Sequence, residues 1–105
     1  MTHETEKGYI YTFGNKIYKT EESRNIDFHY RKKDVFNLYE NSENEYFLTY
    51  INFYTHQNEI IKIMDKEEAR EYLVANNRDT WKLDARSKIH SKPVSETEYC
   101  LVTYY

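Results

Sequence analysis

The sequence predicts an α+β domain, in which a mainly antiparallel sheet of five or six strands packs on one or two helices in the order ββ-βββ-α-α-β. Apolar and aromatic residues recur with a period of two as far as Met64, which is typical of strands. After Asp65 the period changes to nearly four, which is typical of amphipathic helices. The final segment, Thr97–Tyr105, alternates again and predicts a last strand.

The length of 105 residues is that of one domain, enough to bury about two-thirds of the unfolded surface in a single core. Neither a repeat nor a proline-rich linker divides the sequence. Residues 1–8 are polar, and we expect them to form a frayed tail. The domain itself is expected to span residues 9–105.

The first hairpin is predicted at Gly14-Asn15, because both residues tolerate a positive φ angle. The flanking strands are Tyr9–Phe13 and Lys16–Thr20. A two-residue turn at this point sets Tyr11 opposite Tyr18 on one face of the hairpin.

Three further strands follow. Phe28–Tyr39 is interrupted by the charged residues Arg31–Asp34, so it reads either as two short strands or as one bulged strand. Residues 41–44 have turn composition. Glu45–Tyr54 is apolar or aromatic on both faces, which favours a central strand covered on both sides, and Ile60–Met64 returns beside it.

Asp65 and Glu68 have the spacing of a capping box and predict the start of a first helix. Asn76-Asn77 is a reasonable end for that helix. The apolar face of the helix holds Ala69, Tyr72 and Leu73.

A second helix is predicted from a cap at Asp79 or Thr80 to about His90. Its apolar positions, at a spacing of four, are Trp81, Ala85 and Ile89. Its basic positions at the same spacing are Arg78, Lys82 and Arg86. These cations form either a docking stripe for phosphates or an acidic partner, or the solvated face that an amphipathic helix needs.

The composition is biased. Lys, Asn, Ile, Tyr and Phe, whose codons are rich in A and T, make up 44 of the residues, whereas Gly, Ala, Pro and Arg make up 11. This bias indicates an A+T-rich bacterium, or a phage or mobile element of one. The 12 tyrosines are explained either by that bias together with strand formation, or by selection for a binding surface.

Several classes of protein are excluded by absent motifs. The four histidines are scattered and lack the spacing of a zinc site, so no metal or cofactor is predicted. Cys100 is expected to be a small buried hydrophobe in the last strand, and no nucleophile, phosphate-loop or dinucleotide motif is present. A small enzyme with a dispersed site, such as Glu45 with His56, remains a second alternative.

No apolar run approaches the roughly 18 residues that a membrane helix needs, and residues 1–8 lack the apolar core of a signal peptide. We therefore expect a cytoplasmic protein without a membrane partner. The terminal strand, ending in Tyr104-Tyr105, is a candidate edge for a homodimer.

Leu38-Tyr39 and Tyr46-Phe47-Leu48 have the pattern of a hairpin, and Ile60-Ile61 leads into Glu67-Glu68-Ala69 and Tyr72-Leu73. This stretch, from Val35 to Asn77, resembles small uncharacterised proteins of bacteria and their mobile elements. The resemblance implies a similar fold and carries no catalytic residue. In size, acidity and composition the chain is also similar to phage-encoded inhibitors of host defence, anti-CRISPR proteins among them, and this similarity assigns no site.

The leading hypothesis is a non-enzymatic protein-binding protein, an inhibitor or accessory factor from a phage or mobile element that acts on a host nuclease or other defence protein. In a nuclease inhibitor, an acidic cluster would occupy the site meant for nucleic acid. The candidate protein-binding residues are Tyr46, Tyr50, Tyr54, Glu40, Glu43 and Glu45.

The alternative hypothesis is a nucleic-acid-binding module. Its candidate residues are the basic helical positions Arg78, Lys82 and Arg86, together with Arg31, Lys32 and Lys33. In Phe28–Lys33 aromatic residues interleave with cations, as in proteins that bind single strands. Asp27 and Asp34 bracket that segment, and an edge strand protected by lysines explains it equally well.

Overall fold

Two antiparallel sheets and two helices make up the part of the chain that the computed structural model describes, residues 2–90. The strands are β1 (Thr2–Thr5), β2 (Gly8–Phe13), β3 (Lys16–Lys19), β4 (Arg24–Arg31), β5 (Asp34–Glu40), β6 (Tyr46–Asn52) and β7 (Gln57–Met64). The helices are α1 (Lys66–Ala75) and α2 (Trp81–His90), and a short 3₁₀ turn (Thr20–Glu22) joins the two sheets. The predicted last strand with Cys100 and the predicted dimer edge lie outside these residues.

The layers follow from the sheet order. Strands β1-β2-β3 form a three-stranded sheet, and β4-β5-β6-β7 form a four-stranded sheet in which every strand pairs with its neighbour along the chain. The helices cover one face of the larger sheet, and the smaller sheet covers the other. The larger sheet is therefore the middle layer.

Strand β6 carries both cores because its successive side chains point to opposite faces. Tyr46 and Leu48 lie in the helix-side core, with the buried residues Ile26, Leu38, Met64, Ala69, Leu73 and Leu83. Phe47 lies in the other core, with Tyr11, Tyr18 and Ile60. The predicted central strand, covered on both sides, is thus confirmed.

The predicted fold class is confirmed in its coarser part, antiparallel strands packed on helices, whereas the described residues are mainly β and hold two sheets rather than one. They contain seven strands instead of five or six. The expectation of a frayed tail over residues 1–8 is wrong for residues 2–8, because β1 pairs with β2 from Thr2↔Tyr11 to Thr5↔Gly8. The sequence of β1, Thr-His-Glu-Thr, has no alternation of apolar and polar residues from which a strand could be predicted.

Local signals in the sequence predicted the turns correctly. Gly14 has a φ of 64°, and Tyr11 pairs with Tyr18 as expected. The charged interruption at residues 31–34 is a hairpin, with Lys32 at a φ of 57°, so the alternative with two strands holds. In the turn at residues 41–44, Asn44 has a φ of 64°.

Helix α1 begins at the predicted capping box. Asp65 Oδ1 accepts the Glu68 N–H at 2.8 Å, and Glu68 Oε1 accepts the Asp65 N–H at 3.1 Å. Among the described residues, no helix is long and apolar enough to cross a membrane.

The prediction for α2 is right in its extent and partly wrong in its apolar face. Ala85 is buried, but Trp81 is 61% exposed, and Leu83 is the side chain that reaches the core. Asp84 accepts from Lys66 Nζ at 3.0 Å and from Arg70 Nη2 at 3.4 Å, so α2 is held against α1 by charge as well as by packing.

Candidate functional site

One end of the four-stranded sheet carries a group of exposed aromatic and cationic side chains, here called the hairpin-tip surface. Its members are Tyr30, Arg31, Lys32, Lys33, Phe53 and Tyr54. The β4–β5 turn and the β6–β7 turn meet at this end because Asp34 pairs with Asn52. The three aromatic side chains are between 64% and 70% exposed, so they form an apolar patch at the surface rather than part of a core.

Contacts across the two turns hold this surface together. Lys33 Nζ lies 3.9 Å from the centroid of the Tyr54 ring, which is a cation–π contact between the turns. The Tyr30 ring lies 6.3 Å from the ring of Phe28, two residues earlier on the same face of β4. Aromatic side chains therefore continue from the tip along β4.

Asp27 and Asp34, which bracket residues 28–33, accept hydrogen bonds from side chains outside that segment. Asp34 Oδ1 accepts from Tyr50 Oη and from Asn52 Nδ2, both at 2.7 Å. Those hydrogen bonds, with a smaller contribution from the charge of Arg31, lower the pKa of Asp34. Arg78 Nε lies 3.1 Å from both carboxylate oxygens of Asp27. Asp34 therefore offsets Arg31 in part, whereas Lys32 and Lys33 form no ion pair with any described residue.

A cavity of about 230 Å³ lies at the other end of β4, beside the start of α2, and is here called the β4–α2 cavity. It lies at the bulge between Asn25 and Asp27, where the β4–β5 register shifts. Its lining residues are Asn25, Ile26, Asp27, Phe28, Arg78, Asp79, Trp81 and Lys82. Because Phe28 lines the cavity and contacts Tyr30, the cavity and the hairpin-tip surface are connected along one strand.

Two of the predicted protein-binding residues belong to the core. Tyr46 is 2% exposed and Glu40 is 5% exposed. The Tyr46 hydroxyl donates to Glu40 Oε2 at 3.0 Å, and Arg24 Nη2 donates to Glu40 Oε1 at 2.9 Å. The expectation that Tyr46 and Glu40 form a docking surface is contradicted, since alternation on a strand covered on both sides leaves neither face outward.

The other predicted acids join the two sheets. Glu43 and Glu45 both accept from Lys16 Nζ on β3, and Asn41 Nδ2 also donates to Glu45 at 3.0 Å. Tyr50 is partly buried and donates to Asp34. Of the six predicted protein-binding residues, Tyr54 alone lies on the hairpin-tip surface.

The structure brings the two predicted basic groups to the two ends of β4. Arg31, Lys32 and Lys33 lie at the tip, and Lys82 and Arg78 line the cavity. Arg78 also donates from Nη2 to the Phe28 carbonyl at 3.0 Å, so it fixes the α1–α2 connection to β4. Arg86 belongs to the part of α2 for which the backbone alone is described.

Sequence reasoning missed the exposed rings of Trp81 and Phe53. Trp81 has the spacing of Ala85, which predicts a core position, and Phe53 belongs to the segment Glu45–Tyr54, which the sequence predicts to be covered on both sides. The one available signal for Phe53 was its place next to the turn that ends β6.

A His–carboxylate pair is present, although the cavity does not include the histidine. His29 Nδ1 lies 3.2 Å from Asp27 Oδ2, and the His29 ring stacks on Phe36 at 5.3 Å. The pair suggested from the sequence, Glu45 with His56, is not brought together, because Glu45 directly precedes β6 and His56 lies in the turn that follows it, at the opposite end of the strand. Among the side chains that the structure describes, residues 2–85, no three of His, Cys, Asp or Glu converge as metal ligands would.

No family model matches the chain, and comparison with curated proteins and with solved structures found no match.

Proposed function

We propose that the chain is a non-enzymatic protein-binding protein, an inhibitor or accessory factor of a phage or mobile element that acts on a host protein in the cytoplasm. The observation that carries the proposal is the hairpin-tip surface, where three exposed aromatic rings adjoin three cations. Protein interfaces are enriched in aromatic residues and Arg, and their hot spots are enriched in Tyr and Arg.

The rigidity of the surface supports the proposal. Tyr30 belongs to a paired strand, and the hydrogen bonds from Tyr50 and Asn52 to Asp34 fix the base of both turns. A binding surface that is already ordered loses little conformational entropy on association.

The charge of the surface supports an acidic partner. The chain has a formal net charge of −3, yet Arg31, Lys32 and Lys33 make this end locally positive. An acidic face of the partner therefore fits it, and an acid-rich host nuclease or defence protein is the class we propose. The earlier mechanism, in which Glu40, Glu43 and Glu45 imitate a nucleic acid, is not retained, since Glu40 is buried and Glu45 is paired.

The test is an affinity pull-down with the tagged full chain from the lysate of an A+T-rich bacterial host, split into nuclease-treated and untreated halves. We expect a stoichiometric protein in both halves, and its loss when Tyr30→Ala and Tyr54→Ala are combined. Ile17→Ala is the matched control, because Ile17 is 60% exposed on the smaller sheet, away from the tip. A catch that survives the double variant contradicts the assigned surface.

One observation favours a second function, the binding of single-stranded nucleic acid. Aromatic rings adjoin cations at the tip, and proteins that bind single strands combine stacking platforms with a positive groove. This alternative predicts that an oligo(dT) strand binds and that its affinity falls steeply as salt is raised. A catch that disappears on nuclease treatment would favour it over the first proposal.

A further inference from the structure

Within residues 2–90, β5 is the one strand that pairs with β4, so the other edge of β4 carries no described strand. The Phe28 carbonyl points away from β5 and is already bound by Arg78 Nη2 at 3.0 Å, so an incoming segment can pair only beyond Phe28. In an antiparallel strand, alternate residues turn their main-chain groups to the same side, and the N–H and C=O of Tyr30 therefore face that edge too. An extended segment of another chain can pair with such an edge.

The β4–α2 cavity at one end of this edge suits an aromatic side chain with a polar tip. Phe28 and Trp81 line it, and they are 53% and 61% exposed. Asp79 also lines it, and within the described residues no side chain or main-chain group hydrogen-bonds the Asp79 carboxylate. Buried Tyr and Trp side chains require an acceptor for the O–H or N–H, and this carboxylate supplies one.

The charges in the cavity balance, whereas those at the tip do not. Asp27 is paired with Arg78, and the oppositely charged Asp79 and Lys82 both line the cavity. At the other end, Arg31 and Lys33 are exposed on the hairpin-tip surface. Carboxylates of a partner are therefore favoured at the tip rather than in the cavity.

We propose that the edge of β4 at Tyr30 binds an extended acidic segment of the partner protein, with a Tyr or Trp side chain in the β4–α2 cavity and carboxylates at Arg31 and Lys33. The inference rests on the proposed protein-binding function and names the chemistry that this function recognises. From Phe28 to Arg31 a strand rises about 10 Å, so two or three residues separate the aromatic residue of the segment from its acids.

The test uses a fluorescein-labelled synthetic peptide, Ser-Thr-Tyr-Val-Thr-Glu-Asp-Glu, and its reversed sequence, because the direction of pairing is open. Fluorescence polarisation with the full chain is expected to show saturable binding of one of the two. Arg31→Glu should weaken it at least about tenfold by reversing a contact charge. Lys62→Glu, the matched charge reversal at an exposed position of β7, should leave the affinity unchanged.

A double-mutant cycle tests the cavity. Replacing the peptide tyrosine by phenylalanine removes one hydrogen bond and should weaken binding by about three- to tenfold. In the Asp79→Ala variant the same replacement should have no effect, since the acceptor is gone. Equal binding of the tyrosine peptide and the phenylalanine peptide to the unmodified chain overturns the assignment. Equal weakening by Lys62→Glu and Arg31→Glu also overturns it. Binding of oligo(dT) without any binding of the peptide also overturns it.

The outcomes separate this inference from the proposed function. If a captured protein is lost with the tip variants but retained with Asp79→Ala and not displaced by the peptide, the binding function stands and the edge assignment is wrong. If no protein is captured, the binding function fails, and the peptide titration still decides the edge.

Discussion

Gly8 opens β2 in a conformation that other residues avoid, with a φ of 155°. A Cβ atom added there would lie 2.2 Å from Thr20 Oγ1. That hydroxyl accepts the Tyr9 N–H at 3.0 Å, so it cannot move without breaking a hydrogen bond. We expect Gly8→Ala to lower the free energy of unfolding by about 2–3 kcal/mol, measured by urea denaturation.

Gly14→Ala is the matched control for that substitution. Gly14 also has a positive φ, of 64°, but its missing Cβ would meet open space. The cost should be the conformational one alone, about 1 kcal/mol. Equal losses for the two variants would show that contact with Thr20 does not matter.

Glu45 links acid sensitivity to the contact between the two sheets. Hydrogen bonds from Lys16, and then from Asn41, hold its pKa below the ordinary value of 4.5. A carboxylate with a lowered folded pKa contributes stability that is present above its unfolded pKa and lost as the pH falls through the folded one. The melting temperature should therefore begin to fall below about pH 4.5.

Glu45→Gln should flatten that acid limb and lower the melting temperature at pH 7. Glu21→Gln is the control, because Glu21 is exposed on the 3₁₀ turn and forms no ion pair with any described residue. A profile for Glu45→Gln that follows the unmodified chain would assign the acid limb to other carboxylates.

The tyrosines show why side-chain burial could be predicted less well than strand position. Seven of the nine tyrosines in residues 2–90 are buried or partly buried, which favours strand formation over a wide binding surface. Tyr30 and Tyr54 are the exposed two. Residue type is the same in both groups, so the distinction depends on the smaller sheet and the helices, which no local pattern encodes.

At the scale of elements, the capping box that begins α1 has a measurable energy. Asp65→Ala removes the acceptor for the Glu68 N–H, and we expect a loss of about 1 kcal/mol in the free energy of unfolding. The double variant with Glu68→Ala should lose less than the sum of the single variants, because the two hydrogen bonds are reciprocal. Additive losses in urea denaturation would show that the box does not act as a unit.

Elements with short-range signals could be predicted, and those fixed by distant contacts could not. The hairpin at Gly14 and the cap at Asp65 each depend on a few neighbouring residues. β1 has no buried residue on either face, and its sequence has no alternation of apolar and polar residues. The inward face of α2 depends on how that helix meets α1, which is why Leu83 rather than Trp81 is buried.

For the whole molecule, Phe47 is the side chain that ties the smaller sheet to the middle layer. It is fully buried, and its ring lies 5.2 Å from Tyr18, 6.4 Å from Tyr11 and 5.1 Å from Tyr39. We expect Phe47→Ala to cost about 3–5 kcal/mol. Hydrogen exchange should show protection lost first in β1–β3, while α1 keeps most of its protection.

Leu38→Ala is the comparison, because Leu38 is equally buried on the helix side of the same sheet. There the loss of protection should appear first in the helices. The same loss of protection in both variants would mean that the three layers unfold as one unit.

The candidate site could be predicted in its parts but not in its assembly. The interleaved segment at Phe28–Lys33 and the cations Arg78 and Lys82 were recognised separately from sequence. Asp27 and Arg78 are 51 positions apart in the sequence. Their contact pairs Asp27 with a cation and places Arg78 in the lining of the cavity. Such a pairing is a property of the folded chain alone.

The order of the strands also has a kinetic consequence. Each of the five strand pairings joins consecutive strands through a turn of two to five residues, and none of them requires a crossover. Closing a short loop costs little chain entropy, and folding rates rise as contacts become more local in sequence. We therefore expect refolding in the millisecond range, fast for a chain so rich in strands, with each hairpin able to form before the next one pairs with it.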